Sequence, residues 1–132
     1  MREILFRGKR LDNGEWAYGS LLQVEHEDGS FTTAIFHKKD AGGDAEVSPS
    51  TIGQYTGLLD KHGKMIWEGD VIKWDYTCNE GKPHQVRYDV GSACFVASRE
   101  HNGNIIDTVF YNDGKHAEVI GNITDNPELL EK

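Results

Sequence analysis

Apolar and polar residues alternate along much of this chain with a period of two. In "EWAYGSLLQVE", Trp16, Tyr18, Leu22 and Val24 fall at even positions, which places them on one face of a strand. In "SFTTAIFH", Phe31, Thr33 and Ile35 alternate with Thr32, Ala34 and Phe36. The opening "EILFRGKR" supplies a shorter strand ahead of them. Asn13-Gly14 and Asp28-Gly29 separate the three, and such pairs tolerate the positive φ of tight hairpin turns. The pattern predicts an antiparallel meander over about residues 1–37. Met65-Ile66-Trp67, Val71 to Trp74, "HQVRYDV", "ACFVAS", "NIIDTVFY" and "AEVIGNI" continue it, with reversals at Asn102-Gly103 and Asp113-Gly114.

The connections are polar. "KKDAGGDAE", about 38–46, reads as a surface loop. "VSPSTIGQYTG" reads as extended, because Pro49 disfavours helix at Ser48. The tail "DNPELLEK" has helix-start chemistry: Asn126 can cap, Pro127 suits the first position, and Glu128 suits the positive end of the dipole. The expected fold class is all-β, or mainly β, in one domain spanning 1–132. Its parts are a meander sheet, the polar loop, a small barrel-like half over about 47–124, and a short C-terminal helix over about 126–131.

The central stretch "GQYTGLLDKHGKMIWEGDVIKW", Gly53 to Trp74, admits three readings. As a phosphate loop it fails on spacing: the run from Gly57 to Lys64 is one residue too long, and Met65 replaces the Ser or Thr. As an acid/base strip it would need Asp60, Glu68 and Asp70 to converge. As two tight turns between short strands it needs nothing further, and Asp60 is then a turn residue whose carboxylate bonds nearby backbone. The third reading is the preferred one.

This stretch closely resembles the signature of the phage-associated YopX family. The opening "MREILFRGKRLDNGEWAYGSL" and the ending "VIGNITDNPELL" resemble it too. The likeness therefore runs from start to end. Its matching positions are Gly53, Tyr55, Thr56, Gly57, Asp60, Gly63, Glu68, Gly69, Asp70, Gly121, Asn122, Asn126 and Pro127, residue types suited to turns, caps and packing. The resemblance implies a small, mostly β protein of bacteriophage or prophage origin, and it carries over no catalytic residues.

Charge and cysteine content narrow the choice of function. Fourteen Lys and Arg against 22 Asp and Glu leave a net charge of −8. That disfavours non-specific binding to DNA or to anionic lipid, which relies on many cationic contacts. No apolar run approaches the ~20 residues of a membrane span, and the N-terminus lacks an apolar signal core. Two cysteines, Cys78 and Cys94, are too few for a disulfide framework, so a reducing intracellular setting is expected, which the YopX resemblance implies is the cytoplasm of a bacterial host. Cys78, His84, Cys94 and His101 could be written as a zinc set, but they lack the close ligand spacing of fingers and ribbons. Neither cysteine stands in a recognisable nucleophile context, and no serine sits in a Gly-x-Ser-x-Gly elbow. No catalytic residue, metal ligand or cofactor is assigned.

The aromatic residues remain. Trp16, Tyr18, Trp67, Trp74 and Tyr76 are a possible binding surface, with Arg7, Lys9, Arg10, Lys64 and Lys73 as cationic neighbours. The commoner role of such aromatics is core packing. The expected function is a non-enzymatic accessory protein that binds other protein or assembles with itself. A homo-oligomer is expected, a protein partner is favoured over nucleic acid, and no membrane is involved. The alternatives are a nucleic-acid module on the aromatic and basic residues, or an enzyme without a recognisable motif.

Overall fold

The computed structural model describes residues 2–37, 43–75, 81–110 and 114–131. They belong to two compact units, Met1–Tyr55 and Thr56–Lys132.

The first unit holds β1 (Phe6–Lys9), β2 (Trp16–Glu25), β3 (Phe31–Phe36), β4 (Asp44–Glu46) and the start of β5 (Gly53–Leu59). Their order in the sheet is β4-β3-β2-β1-β5, all antiparallel. The predicted reversals are present: Gly14 and Gly29 have φ of 72° and 86°. Each turn is closed by an Asx side chain. Asn13 Oδ1 accepts the Glu15 N–H and Asp28 Oδ1 the Ser30 N–H, both at 2.9 Å. Register places Leu21 opposite Ile35, and Ile35 opposite Ala45. That row faces inward. Ala17, Ile35 and Val47 are buried, with Phe6, Leu21, Ala45 and Ile52 packed against them. The period-two face of β2 is therefore its outward one, because the odd positions share a side with Ile35.

The expected loop over 38–46 falls partly outside the described residues, at 38–42. Its last part, Asp44–Glu46, pairs as β4.

The second unit holds the remainder of β5, followed by β6 (Met65–Trp67), β7 (Asp70–Trp74), β8 (Pro83–Asp89), β9 (Cys94–His101), β10 (Asn104–Val109) and β11 (Ala117–Asn122). β6 lies beside β5, and the other five form an antiparallel sheet in the order β10-β9-β8-β7-β11. Ile66, Ile72, Trp74, Val86, Ala97 and Ala117 make its buried core. Trp74 packs against Phe110, ring centroids 5.4 Å apart, and meets the His84 ring edge-on at 6.3 Å.

The fold is mainly β, as expected, in two antiparallel sheets. Among the described residues the barrel-like half is an open sheet: β10 and β11 are its two edges, and no closed barrel forms. The C-terminal helix is a single 3-10 turn, Pro127–Leu130. Asn126 does not cap it with its side chain. Instead its Oδ1 accepts the Asn122 N–H at 3.3 Å, closing the turn that leads out of β11.

The central stretch forms the two turns. Asp60 Oδ1 accepts the N–H groups of His62 and Lys64, each at 2.9 Å, and Oδ2 accepts the N–H of Val119 on β11 at 3.0 Å. Lys61 N–H also donates to the Ala117 carbonyl at 2.9 Å. The turn is thus docked along the outer edge of β11. In the second turn, Asp70 Oδ2 accepts the Trp67 N–H at 2.8 Å. Gly69 bridges Val86 and Ile123 through its own N–H and C=O. Burial pushes the Asp60 carboxyl up, but the three N–H donors and the neighbouring His62 outweigh it and hold it below 3.8, the ordinary aspartate value.

Asp60→Ala leaves three N–H groups without their acceptor, and we expect it to lower unfolding free energy by about 2–4 kcal/mol in urea titrations. The sign of the pH dependence follows from the lowered folded pKa. The Asp60 contribution is complete above the unfolded-state value and is lost as pH falls through the folded one. Asp60→Asn should therefore show a shallower loss of stability in acid than the parent. Parallel acid titrations would contradict this role.

Candidate functional site

Two surfaces stand out, one on each unit. The first is the outward face of β2 and β3. Along β2 it carries Trp16, Tyr18, Leu22 and Val24, and from β3 it carries Phe36, which register places opposite Ser20. Tyr18, Leu22, Val24 and Phe36 are 42%, 40%, 51% and 44% exposed. On one side, β1 contributes Arg7 opposite Tyr18 and Lys9 opposite Trp16. On the other, β4 contributes Asp44 opposite Phe36 and Glu46 opposite Ala34. Strand alternation puts all of these on one side of the sheet. Arg7 is buried, so the apolar centre lies between the half-buried Lys9 on one side and the exposed Asp44 and Glu46 on the other.

Trp16 is already engaged on this face. The Arg7 guanidinium carbon sits 4.4 Å from its ring centroid and the Lys9 ammonium 4.8 Å. Arg7 is buried and Lys9 half-buried, and such contacts are worth about 0.5–2 kcal/mol each, the larger values for the more desolvated cation. A base stacking on the indole would have to displace them. The other aromatics of the expected surface lie elsewhere. Trp67 and Trp74 are buried in the second unit, and Tyr76 lies outside the described residues. The cationic neighbours divide likewise: Arg10 is held by Asp12 at 2.8 Å, while Lys64 and Lys73 belong to the second unit.

The zinc set is not assembled among the described residues. Cys78 lies outside them, and no group of three or more His, Cys, Asp or Glu is placed to hold a metal. His84 is buried, with Nδ1 2.9 Å from the Lys82 carbonyl. The Cys94 sulfur lies 3.3 Å from the Ser92 hydroxyl. Asp60 and Asp70 spend their oxygens on backbone N–H groups, which suits turn geometry rather than proton transfer.

The second surface was not singled out in the sequence. A groove of about 600 Å³ runs over β8, β9 and β10, with Leu130 from the C-terminal turn at its margin. Arg87, Ser98 and Asp107 form a closed triangle in its floor. Arg87 Nε donates to Ser98 Oγ and Nη2 to Asp107 Oδ2, both at 2.7 Å, and the Ser98 hydroxyl donates to Asp107 Oδ1. The Ser98 hydroxyl holds the Asp107 carboxyl below the ordinary aspartate range; burial pushes it back up in part, and Arg87 lowers it further. A carboxylate so stabilised is a weak base, and no imidazole takes part, so the triangle does not form a nucleophile–base pair. Its three residues come from three strands, and only the register of those strands brings them together. The available hint was alternation: Gln85 with Arg87, Ser98 with Glu100, and Ile105 with Asp107 each share a strand face.

Two comparisons with known proteins cover nearly the whole chain. A family model described as YopX protein matches residues 5–131. The crystal structure of protein EF1440 from Enterococcus faecalis is similar at a TM-score of 0.58 and 27% identity, over 98% of this chain and 99% of that one. A search of curated proteins found no match.

His84 gives this region a pH dependence. Burial pushes the imidazole below 6.5, the ordinary histidine value. Among the described residues its Nε2 has no hydrogen-bond partner. The unfolded chain therefore binds the proton more readily than the folded one. Stability is complete above 6.5 and falls as pH drops toward the folded value. His84→Leu should flatten the urea midpoint between neutral and mildly acidic pH. An unchanged slope in that variant would show that the sensitivity arises elsewhere.

Proposed function

The chain belongs to the YopX family, and we propose that it is a non-enzymatic accessory protein that binds another protein through the outward face of β2 and β3. The observation that carries this reading is the apolar centre of that face, Tyr18, Leu22, Val24 and Phe36, lying between Lys9 on one side and the acidic pair Asp44 and Glu46 on the other. Protein interfaces have this anatomy, an apolar middle and a polar rim. The matching partner surface is apolar at its centre, with a carboxylate over Lys9 and a cation over Asp44 and Glu46. We place the protein in the cytoplasm of a bacterial host, encoded by a phage or prophage. A nucleic-acid reading has less support, because the net charge is −8 and the Trp16 ring is covered by Arg7 and Lys9.

The test is a capture experiment with tagged protein from phage-infected host cells, run beside Leu22→Asp and Phe36→Ser. These positions are exposed, so both variants should keep the parent's unfolding midpoint. A specific partner should be retained by the parent and lost about tenfold or more by each variant. Equal capture by parent and variants would remove the face from the account. Tight binding to single-stranded nucleic acid that weakens steeply with salt would replace the reading altogether.

A further inference from the structure

The sheet edges of this protein are treated unequally. β4 and β6 have three residues each, and short edge strands are poor templates for further pairing. β11 is covered: Val119 N–H is taken by Asp60, Ala117 C=O accepts the Lys61 N–H, and the register shifts between Val119 and Gly121. β10 has six residues and none of these protections. It contains no proline and no lysine. Ile105, Ile106 and Val109 are 62%, 39% and 40% exposed.

The hydrogen-bonding phase of β10 follows from its turn. Asn102 and Gly103 have φ of 52° and 81°, so they form the two-residue loop between β9 and β10. Such a loop makes His101 and Asn104 a hydrogen-bonded pair. Alternation then points the N–H and C=O groups of Ile105, Asp107 and Val109 away from β9. These three residues are symmetric about Asp107. Its charge, which would ordinarily discourage edge pairing, is already engaged by Arg87 and Ser98.

We infer that β10 pairs antiparallel with β10 of a second copy, about a two-fold axis passing by Asp107. This register uses every outward backbone group of the strand. It sets Ile105 beside Val109 of the second copy and Ile106 beside Thr108. The two Asp107 carboxylates meet at the axis, each held by its own Arg87. Arg87 is thereby the residue that makes the pairing electrostatically tolerable. A closed two-fold contact of this kind ends with two copies rather than growing into a fibre. It is independent of the β2 and β3 face, since it involves none of those residues.

The test combines sedimentation over a wide dilution series with amide hydrogen exchange. The parent should dimerise reversibly, with the Ile105, Asp107 and Val109 amides protected in the dimer and exposed on dilution. Ile105→Lys should weaken association about tenfold or more without moving the unfolding midpoint measured at high dilution, where both proteins are monomers, because the side chain is exposed. Val109→Lys, at the other end of the strand, should do the same. Arg87→Met should weaken it too, and Asp107→Asn added to that variant should restore it. A parent that stays monomeric throughout would overturn the inference. So would a dimer that Tyr18→Ser disrupts while Ile105→Lys does not. Protection of the three amides only when a foreign extended peptide is added would show that the strand takes a different partner.

Discussion

The Asp60 carboxylate accepts the N–H groups of His62 and Lys64 within its own turn and the N–H of Val119 on β11, 59 residues along the chain. A buried carboxylate is costly unless its oxygens are satisfied, and here backbone donors do so. The same contacts supply an edge strand with partners it would otherwise lack. One side chain therefore settles the conformation of the Asp60–Lys64 turn, its place against β11, and the end of the five-stranded sheet. The other end of that sheet, β10, has no such cover.

Much of this was legible in the sequence, and what was not shares a cause. Period-two alternation and Asx-Gly pairs located β2, β3, β8, β9 and β10, because both signals are local: side-chain direction and turn φ depend on near neighbours. Asp60 as a turn residue was legible for the same reason. Its reach to Val119 was not, since no local rule pairs residues so far apart. The inward side of β2 was equally hidden. Trp16 and Tyr18 look like core residues beside Ala17, and only the pairing of Leu21 with Ile35 sends the smaller residue inward. The grouping of Trp16 with Trp67 and Trp74 by chemistry alone missed that the latter two pack the second unit's core. The Arg87, Ser98 and Asp107 triangle required strand register, which sequence patterns alone do not supply.

The functional reading follows from how polar groups are used. Asp60, Asp70 and Asn122 bond backbone; Asp107 bonds Arg87 and Ser98. Among the described residues these side chains are committed to turns and cross-strand ties. What is offered to solvent in quantity is apolar sheet surface and an open strand edge. The positions that carry the YopX resemblance around Asp60, Gly69, Asn122 and Asn126 are ones that turn the chain. No helix among the described residues is long and apolar enough to cross a membrane.

The central claim is that the Asp60 carboxylate holds backbone across the Val119 edge and is not kept for a ligand. Hydrogen exchange at the Val119 amide, compared between the parent and Asp60→Ala, measures that directly. The account predicts a slowly exchanging amide in the parent and exchange about tenfold faster or more in the variant, with Ala97 in the sheet interior far less affected. Equal Val119 rates in the two proteins would contradict it.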